Sequence, residues 1–235
     1  MTFSITGYDT HGGMMGVAVA TRYWGVGARV PYVRAGVAAL AVQAYAQPYL
    51  GYDTLRLIHD TGLSGPEAIT RVLANDPGRD WRQVGMVDHH GNVFGYTGSE
   101  TEPWSGHILG TTCVGAGNML VNQETVGEMV ATFEGRADLD LPERLVTALR
   151  AGHAAGGDRR GQQSAAIYVV HLEEAPYLDL RVDDHPDAIA ELVRLVAVTR
   201  DIELVRSARF AGGRESLSVA EYISQKAHLR TQGLA

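Results

Sequence analysis

Residues 2–22 read TFSITGYDTHGGMMGVAVATR, two strand-like runs about a glycine-bearing turn. In Thr2 to Tyr8, Phe3 and Ile5 point one way and Thr2, Ser4, Thr6 and Tyr8 the other, the two-residue period of a β-strand. Asp9-Thr10-His11-Gly12-Gly13 is a turn, and Met14 to Thr21 is a second, largely apolar strand. The chain therefore opens with a hairpin. Beyond it, Ala28 to Val33 and Gly36 to Ala44 are further strands, the latter so small and apolar that it suits a strand covered on both faces.

Helical spacing follows from Leu50 to Gly62, with Leu55 and Ile58 on one stripe. Ser64-Gly65-Pro66-Glu67 starts a second helix, with a serine cap, an early proline and glutamate three residues on. Val84 to Asp88 and Val93 to Thr97 pair about His89-His90-Gly91-Asn92. His107 to Gly115 is expected as one strand, Gln123 to Glu134 and Pro142 to Ala155 as helices, and Ala165 to Leu172 as a strand. Tyr177 to Val182 alternates like an edge strand, and Pro186 to Val198 is an amphipathic helix. Strands arrive as hairpins and helices as pairs. That order predicts an α+β protein with two stacked antiparallel sheets between helical layers rather than a βαβ alternation. Residues 1–196 form the expected domain and 197–235 a helical extension packed on it.

The 235 residues suffice for a full core, and 45% apolar with 20% charged residues is the profile of a folded protein. Acidic residues outnumber basic ones, 27 to 20, for a net charge of −7, and Lys226 is the single lysine. Such a chain has no electrostatic reason to bind nucleic acid or anionic membranes. Cys113 is the sole cysteine, and no basic start or long apolar run appears, so a reducing, cytoplasmic location is expected. A homo-oligomer, a dimer or higher, is expected, with no cofactor and no metal.

The chemistry centres on Thr2. Removal of Met1 would leave a threonine with both a hydroxyl and a free α-amine. That amine titrates at about 8 in its unperturbed state, so it can take the hydroxyl proton as a built-in general base. The bland alternative is an ordinary strand start. Ser4 shares the polar face of that strand. Gln43 and Tyr45, at the end of an apolar strand, either line a pocket or cap the sheet. His89 and His90 have no HxH or HxxxH companion and fit a hairpin tip. The Asp183–Asp187 stretch fits a cation site or a helix cap, and Cys113 fits a buried strand position.

The opening TFSITGYD…GGMMGVAVATRYWGVGA resembles a family catalogued as domain of unknown function 1028. So do VRAGVAALAVQAYAQPYLG (33–51), VGAGNML (114–120), AGHAAGGDRRGQQSAAIYVV (151–170) and YLDLRVDDHPDAIAELVRL (177–195). The family is placed among the N-terminal-nucleophile (Ntn) hydrolases, which implies an αββα sandwich and hydrolysis of an amide bond by the freed first residue. The chain also resembles, more distantly, proteasome β-type subunits, with Ala20 where their return strand carries aspartate and Arg34 near the place of their lysine. The resemblance implies an oxyanion role for Asn118 in Gly115-Ala116-Gly117-Asn118. It also implies that the loop Gly156 to Ser164 surrounds the terminal amine, with Asp158 and Ser164 as catalytic candidates and Arg160 and Gln163 as substrate-binding ones. Three functions stay open: a hydrolase of small linear or cyclic amides using Thr2, a non-catalytic binding or assembly module, and a metal-dependent hydrolase using the histidines and Asp183–Asp187.

Overall fold

The computed structural model describes residues 2–210 and 224, with side chains through 199 and at 224. Ten strands and five α-helices follow one another: β1 (Thr2–Tyr8), β2 (Met15–Thr21), β3 (Pro31–Arg34), β4 (Ala38–Ala44), α1 (Pro48–Thr61), α2 (Gly65–Ala74), β5 (Arg82–Asp88), β6 (Val93–Thr97), β7 (Gly106–Leu109), β8 (Cys113–Asn118), α3 (Glu124–Gly135), α4 (Leu141–Ala154), β9 (Ser164–Val170), β10 (Leu178–Val182) and α5 (Ala188–Phe210). One sheet has the order β10-β9-β2-β1-β8-β7 and the other β3-β4-β5-β6. Every pairing is antiparallel. The predicted α+β class and αββα layering are both present.

Each layer follows from which side chains the strands turn outward. Leu40, Val42, Val84 and Met86 leave the four-stranded sheet to meet Leu55 and Ile58 of α1 and Ala68, Ile69 and Leu73 of α2. On the larger sheet the helices α3 and α4 come so close that a Cβ added to Gly7 would lie 2.4 Å from Phe133. Glycine is required there by the approach of another side chain, not by its dihedral freedom. Between the sheets, Val17, Val19, Ala39, Ala41 and Val87 pack in one apolar cluster.

The polar stripe of β1 is not a solvent face. Ser4 and Thr6 are fully buried and look across to the second sheet, where Ser4 donates to Gln43 Oε1 (2.8 Å) and Thr6 to the Gly85 carbonyl (3.4 Å). The starts of α2 and α4 both carry side-chain caps, and the one at α2 is legible in the sequence. Ser64 and Glu67 form a reciprocal capping box at α2, and Asp140 caps α4 through the Glu143 N–H. β10 is an edge strand, as its alternation predicted.

Three expectations need correcting. The single strand over 107–115 is a hairpin, β7 and β8, because Gly110-Thr111-Thr112 turns the chain: Gly110 N–H bonds Cys113 O, and Glu134 accepts from Thr111 N–H at 2.7 Å. The strand expected over 28–33 starts only at Pro31. Gly25, with φ of 66°, opens a 3₁₀ turn over Val26–Ala28 instead. The last helix does not end near 198; it continues to Phe210. The chain divides into a compact unit, Met1–Val193, and a second, Arg194–Ala235. The expected extension, 197–235, lies mainly outside the described residues. Among the described residues no helix is long and apolar enough to cross a membrane.

Candidate functional site

β1 is an interior strand, so its first residue is held from both sides: Thr2 stands opposite Thr21 of β2 and Asn118 of β8. These three residues lie on the wall of a cavity of about 730 Å³ at that end of the sandwich. The size is that of a small-molecule site. Thr2 Oγ1 donates to Thr21 Oγ1 at 3.3 Å. Thr2 is 8% exposed, enough for its hydroxyl to meet a ligand from the cavity while the strand around it stays covered.

Beneath the floor runs a chain of buried amides. Gln43 Nε2 donates to Gln83 Oε1 at 2.8 Å, and reaches the Thr2 carbonyl at 3.4 Å. Asn118 Nδ2 donates to the same Gln83 oxygen at 2.9 Å. Gln83 Nε2 in turn donates to Thr97 Oγ1, Gly106 O and Gly117 O at 2.8–3.0 Å. Gln43, Gln83 and Asn118 are at most 2% exposed. Buried amides of this kind are costly unless bonded. Here the mutual bonds fix which way each points: Gln83 turns its oxygen to two donors, and one Asn118 N–H is committed to it, leaving the other.

Two residues flanking this floor have left-handed backbones, Ala44 (φ 67°) just after Gln43 and Met119 (φ 54°) just after Asn118, and both line the cavity. Non-glycine residues in that region carry about 1–2 kcal/mol of strain each. Such strain concentrates where a site needs an abrupt change of direction.

Of the residues singled out in the sequence, Thr2, Gln43, Tyr45, Asn118 and Arg160 line the cavity. Ser4 lies behind it, bonded to Gln43. Asp158 is 5% exposed and set to one side, where its carboxylate accepts from Arg22 N–H (3.1 Å), Arg160 N–H (2.7 Å) and Arg160 Nη2 (3.4 Å). Ser164 does not open on the cavity. Its hydroxyl donates to the Tyr23 carbonyl and accepts from Val26 N–H, pinning the turn that forms one cavity wall. Gln163 bonds Thr21 O through its N–H and Asp184 through its side chain, away from the cavity. Arg34 stands apart altogether. It ends β3 opposite Ala38, whereas Gln43 and Ala44 are at the other end of β4, and it pairs with Glu174 at 3.6 Å.

The sequence reading missed Gln83, Thr21 and Arg29. Gln83 had a signal: it faces Gln43 directly in the β4–β5 ladder, but that register emerges only once the hairpins are paired. Arg29 lines the cavity from just beyond the 3₁₀ turn, with its guanidinium carbon 4.6 Å from the Trp24 ring centre and 5.4 Å from that of Tyr23.

Other reactive groups are occupied elsewhere. Burial, with Glu134 nearby, pushes the Cys113 thiol up to about 12, so it is no nucleophile near neutral pH. His89 and His90 lie tilted against one another, ring centres 3.8 Å apart, in the β5–β6 turn, and His89 Nδ1 meets the Val37 carbonyl. Among the described residues no group of three or more His, Cys, Asp or Glu side chains could hold a metal ion.

An αββα sandwich with a cavity at the head of its central strand is the class that fold and site define. Within that class, a family model described as a family of unknown function, DUF1028, matches residues 2–192, and the chain belongs to that family. Protein SPO2555 from Silicibacter pomeroyi, of the same family, is 32% identical, with 84% of this chain and 88% of that one covered and a TM-score of 0.77. Anbu (ancestral beta-subunit) from Yersinia bercovieri is 10% identical, with coverages of 85% and 97% and a TM-score of 0.36. No curated protein matches the chain.

Proposed function

We propose that the protein hydrolyses a small linear or cyclic amide with Thr2, exposed by removal of Met1, as nucleophile. The observation that carries this reading is that Thr2 lies on the cavity wall directly opposite Asn118 in the β1–β8 ladder.

The freed α-amine of Thr2 takes the proton from Oγ1 as the oxygen attacks the amide carbonyl carbon. Negative charge then builds on the carbonyl oxygen. The Asn118 N–H that is not bound to Gln83 is the side-chain donor for it, and because Gln83 already fixes that amide, little reorganisation is needed. Collapse of the tetrahedral species breaks the C–N bond, and the Thr2 ammonium returns its proton to the leaving nitrogen. Water, deprotonated by the same amine, cleaves the acyl–threonine ester and restores the hydroxyl. Asp158 and Ser164 act in this scheme as positioning residues, shaping the wall beside Thr2 through Arg22 and Tyr23.

One observation favours a second reading, a binding module that keeps the fold. Thr2 Oγ1 bonds the Thr21 hydroxyl rather than a cation, and Ala20 stands where the resemblance to proteasome subunits would place an acid. The experiment that separates the two starts from protein whose intact mass establishes the N-terminus. An amide library is screened on it, with trapping of an acyl adduct located to Thr2. Turnover abolished in Thr2→Ala, with an unchanged melting curve, supports the hydrolase. Full activity in that variant, or Met1 retained in active protein, overturns it.

A further inference from the structure

Three guanidinium groups line the cavity, and two of them already have partners. Arg82 directs Nε and Nη2 to Asp76 and Nη1 to the Tyr45 carbonyl. Arg160 pairs with Asp158. The acid on the wall, Glu102, is paired in turn with Arg159 at 3.7 Å. Arg29 differs: among the described residues no carboxylate pairs with its guanidinium, which instead lies against Tyr23 and Trp24. These two rings stack on each other, with centres 5.5 Å apart. A guanidinium resting on aromatic faces keeps its N–H donors along the edge, in the fork that matches a carboxylate.

The backbone that carries this group is fastened at several points. Gly25 takes its left-handed turn, Val26 N–H bonds the buried Ser164 hydroxyl, Arg29 N–H bonds Val26 O, and Tyr32 O–H bonds Arg29 O at 3.0 Å. Such anchoring fixes the backbone from which the exposed Arg29 side chain reaches the cavity wall.

We propose that Arg29 is the anion-binding residue of this cavity and that the substrate is a small amide bearing a carboxylate. The inference rests on the amide-hydrolase reading and names its substrate class. One unpaired guanidinium balances one carboxylate, whereas a phosphate dianion would leave surplus negative charge beside Glu102. With that carboxylate on the acyl side of the scissile bond, the hydrolysis product is a dicarboxylate, one end on Arg29 and the other where the amide carbonyl stood.

The test is calorimetric titration of wild-type protein with the aliphatic α,ω-dicarboxylates from malonate to adipate, and with neutral diols of the same lengths. These probes contain no amide, so the result does not depend on Thr2. At least one dicarboxylate is expected to bind roughly tenfold or more tightly than its diol, with affinity falling as salt rises. Arg29→Gln is expected to remove that preference and Arg29→Lys to restore part of it, with melting curves confirming that both variants fold. Equal binding of dicarboxylate and diol, unchanged affinity in Arg29→Gln, or no binding by any member would each overturn the proposal. If dicarboxylates bind through Arg29 while Thr2→Ala still turns over amides, the nucleophile assignment fails and the anion subsite stands.

Discussion

Replacing Gln83 by leucine keeps the side-chain volume close to constant and removes the amide at the centre of the buried network. Gln83 Oε1 accepts from Gln43 at 2.8 Å and from Asn118 at 2.9 Å, and both donors are almost fully buried. Leaving a buried donor unpaired costs about 1–3 kcal/mol, so two of them cost about 2–6 kcal/mol. That is a large part of the roughly 5–15 kcal/mol that holds an ordinary domain together. For a chain of this length it corresponds to a fall in Tm of about 4–24 °C. Urea unfolding of wild type, Gln83→Leu, Asn118→Leu and the double variant measures both the loss and the coupling. Because the two side chains share a bond, the double variant should be less destabilised than the sum, by about 0.5–3 kcal/mol. A Gln83→Leu protein within about 0.5 kcal/mol of wild type, or strictly additive variants, would refute the claim that this amide orients Asn118.

Two other consequences are open to measurement. Asp88 is 1% exposed; burial raises its carboxyl, but the Asn92 amide and the N–H groups of Gly65, Asn92 and His90 outweigh that and hold it below its usual range. Its contribution is therefore complete above the unfolded value of about 3.9 and is lost as pH falls from there through the lower folded value. Asp88→Asn should cost about 2–4 kcal/mol at pH 7, with the gap to wild type narrowing below about pH 4; urea melts across that range check it, and a constant gap would contradict the assignment. Ala44→Gly should relieve about 1–2 kcal/mol of left-handed strain against about 0.5–1 kcal/mol of added chain entropy. The net of about 0–1.5 kcal/mol corresponds to a rise in Tm of about 0–6 °C, and a fall would mean the Ala44 methyl contributes packing that outweighs the strain.

What could be read from the sequence was what depends on neighbours along the chain. The opening hairpin, the Ser64–Glu67 capping box and the alternation of β10 are local, and each is in place. The β7–β8 turn was hidden because Gly110-Thr111-Thr112 interrupts an apolar run only briefly, and the Glu134 carboxylate that helps hold it comes from another layer. For the site the division is the same. Thr2 was legible as a strand start with a reactive side chain, and Asn118 only through the family resemblance of its glycine-bearing stretch, since the strand was expected to stop at Gly115. Arg34 was singled out by its resemblance to the place of the proteasome lysine, and proximity to a strand start in sequence says nothing about which end of the sheet that residue occupies. Ser164 was singled out through the family resemblance of its loop, and its hydroxyl satisfies backbone groups of Tyr23 and Val26, a contact between distant parts of the chain that local patterning does not carry.

The polar seam between the sheets has a mechanical meaning as well. Two faces made of alanine, valine and glycine are smooth, and dispersion alone would let one sheet glide over the other at little cost. Ser4, Thr6, Gln43 and Gln83 interlock at specific atoms of the opposing layer, so any glide must part several hydrogen bonds at once. The seam works as a dowel: it sets the offset of the layers, and with it the spacing between a hydroxyl on one sheet and the groups facing it from the other.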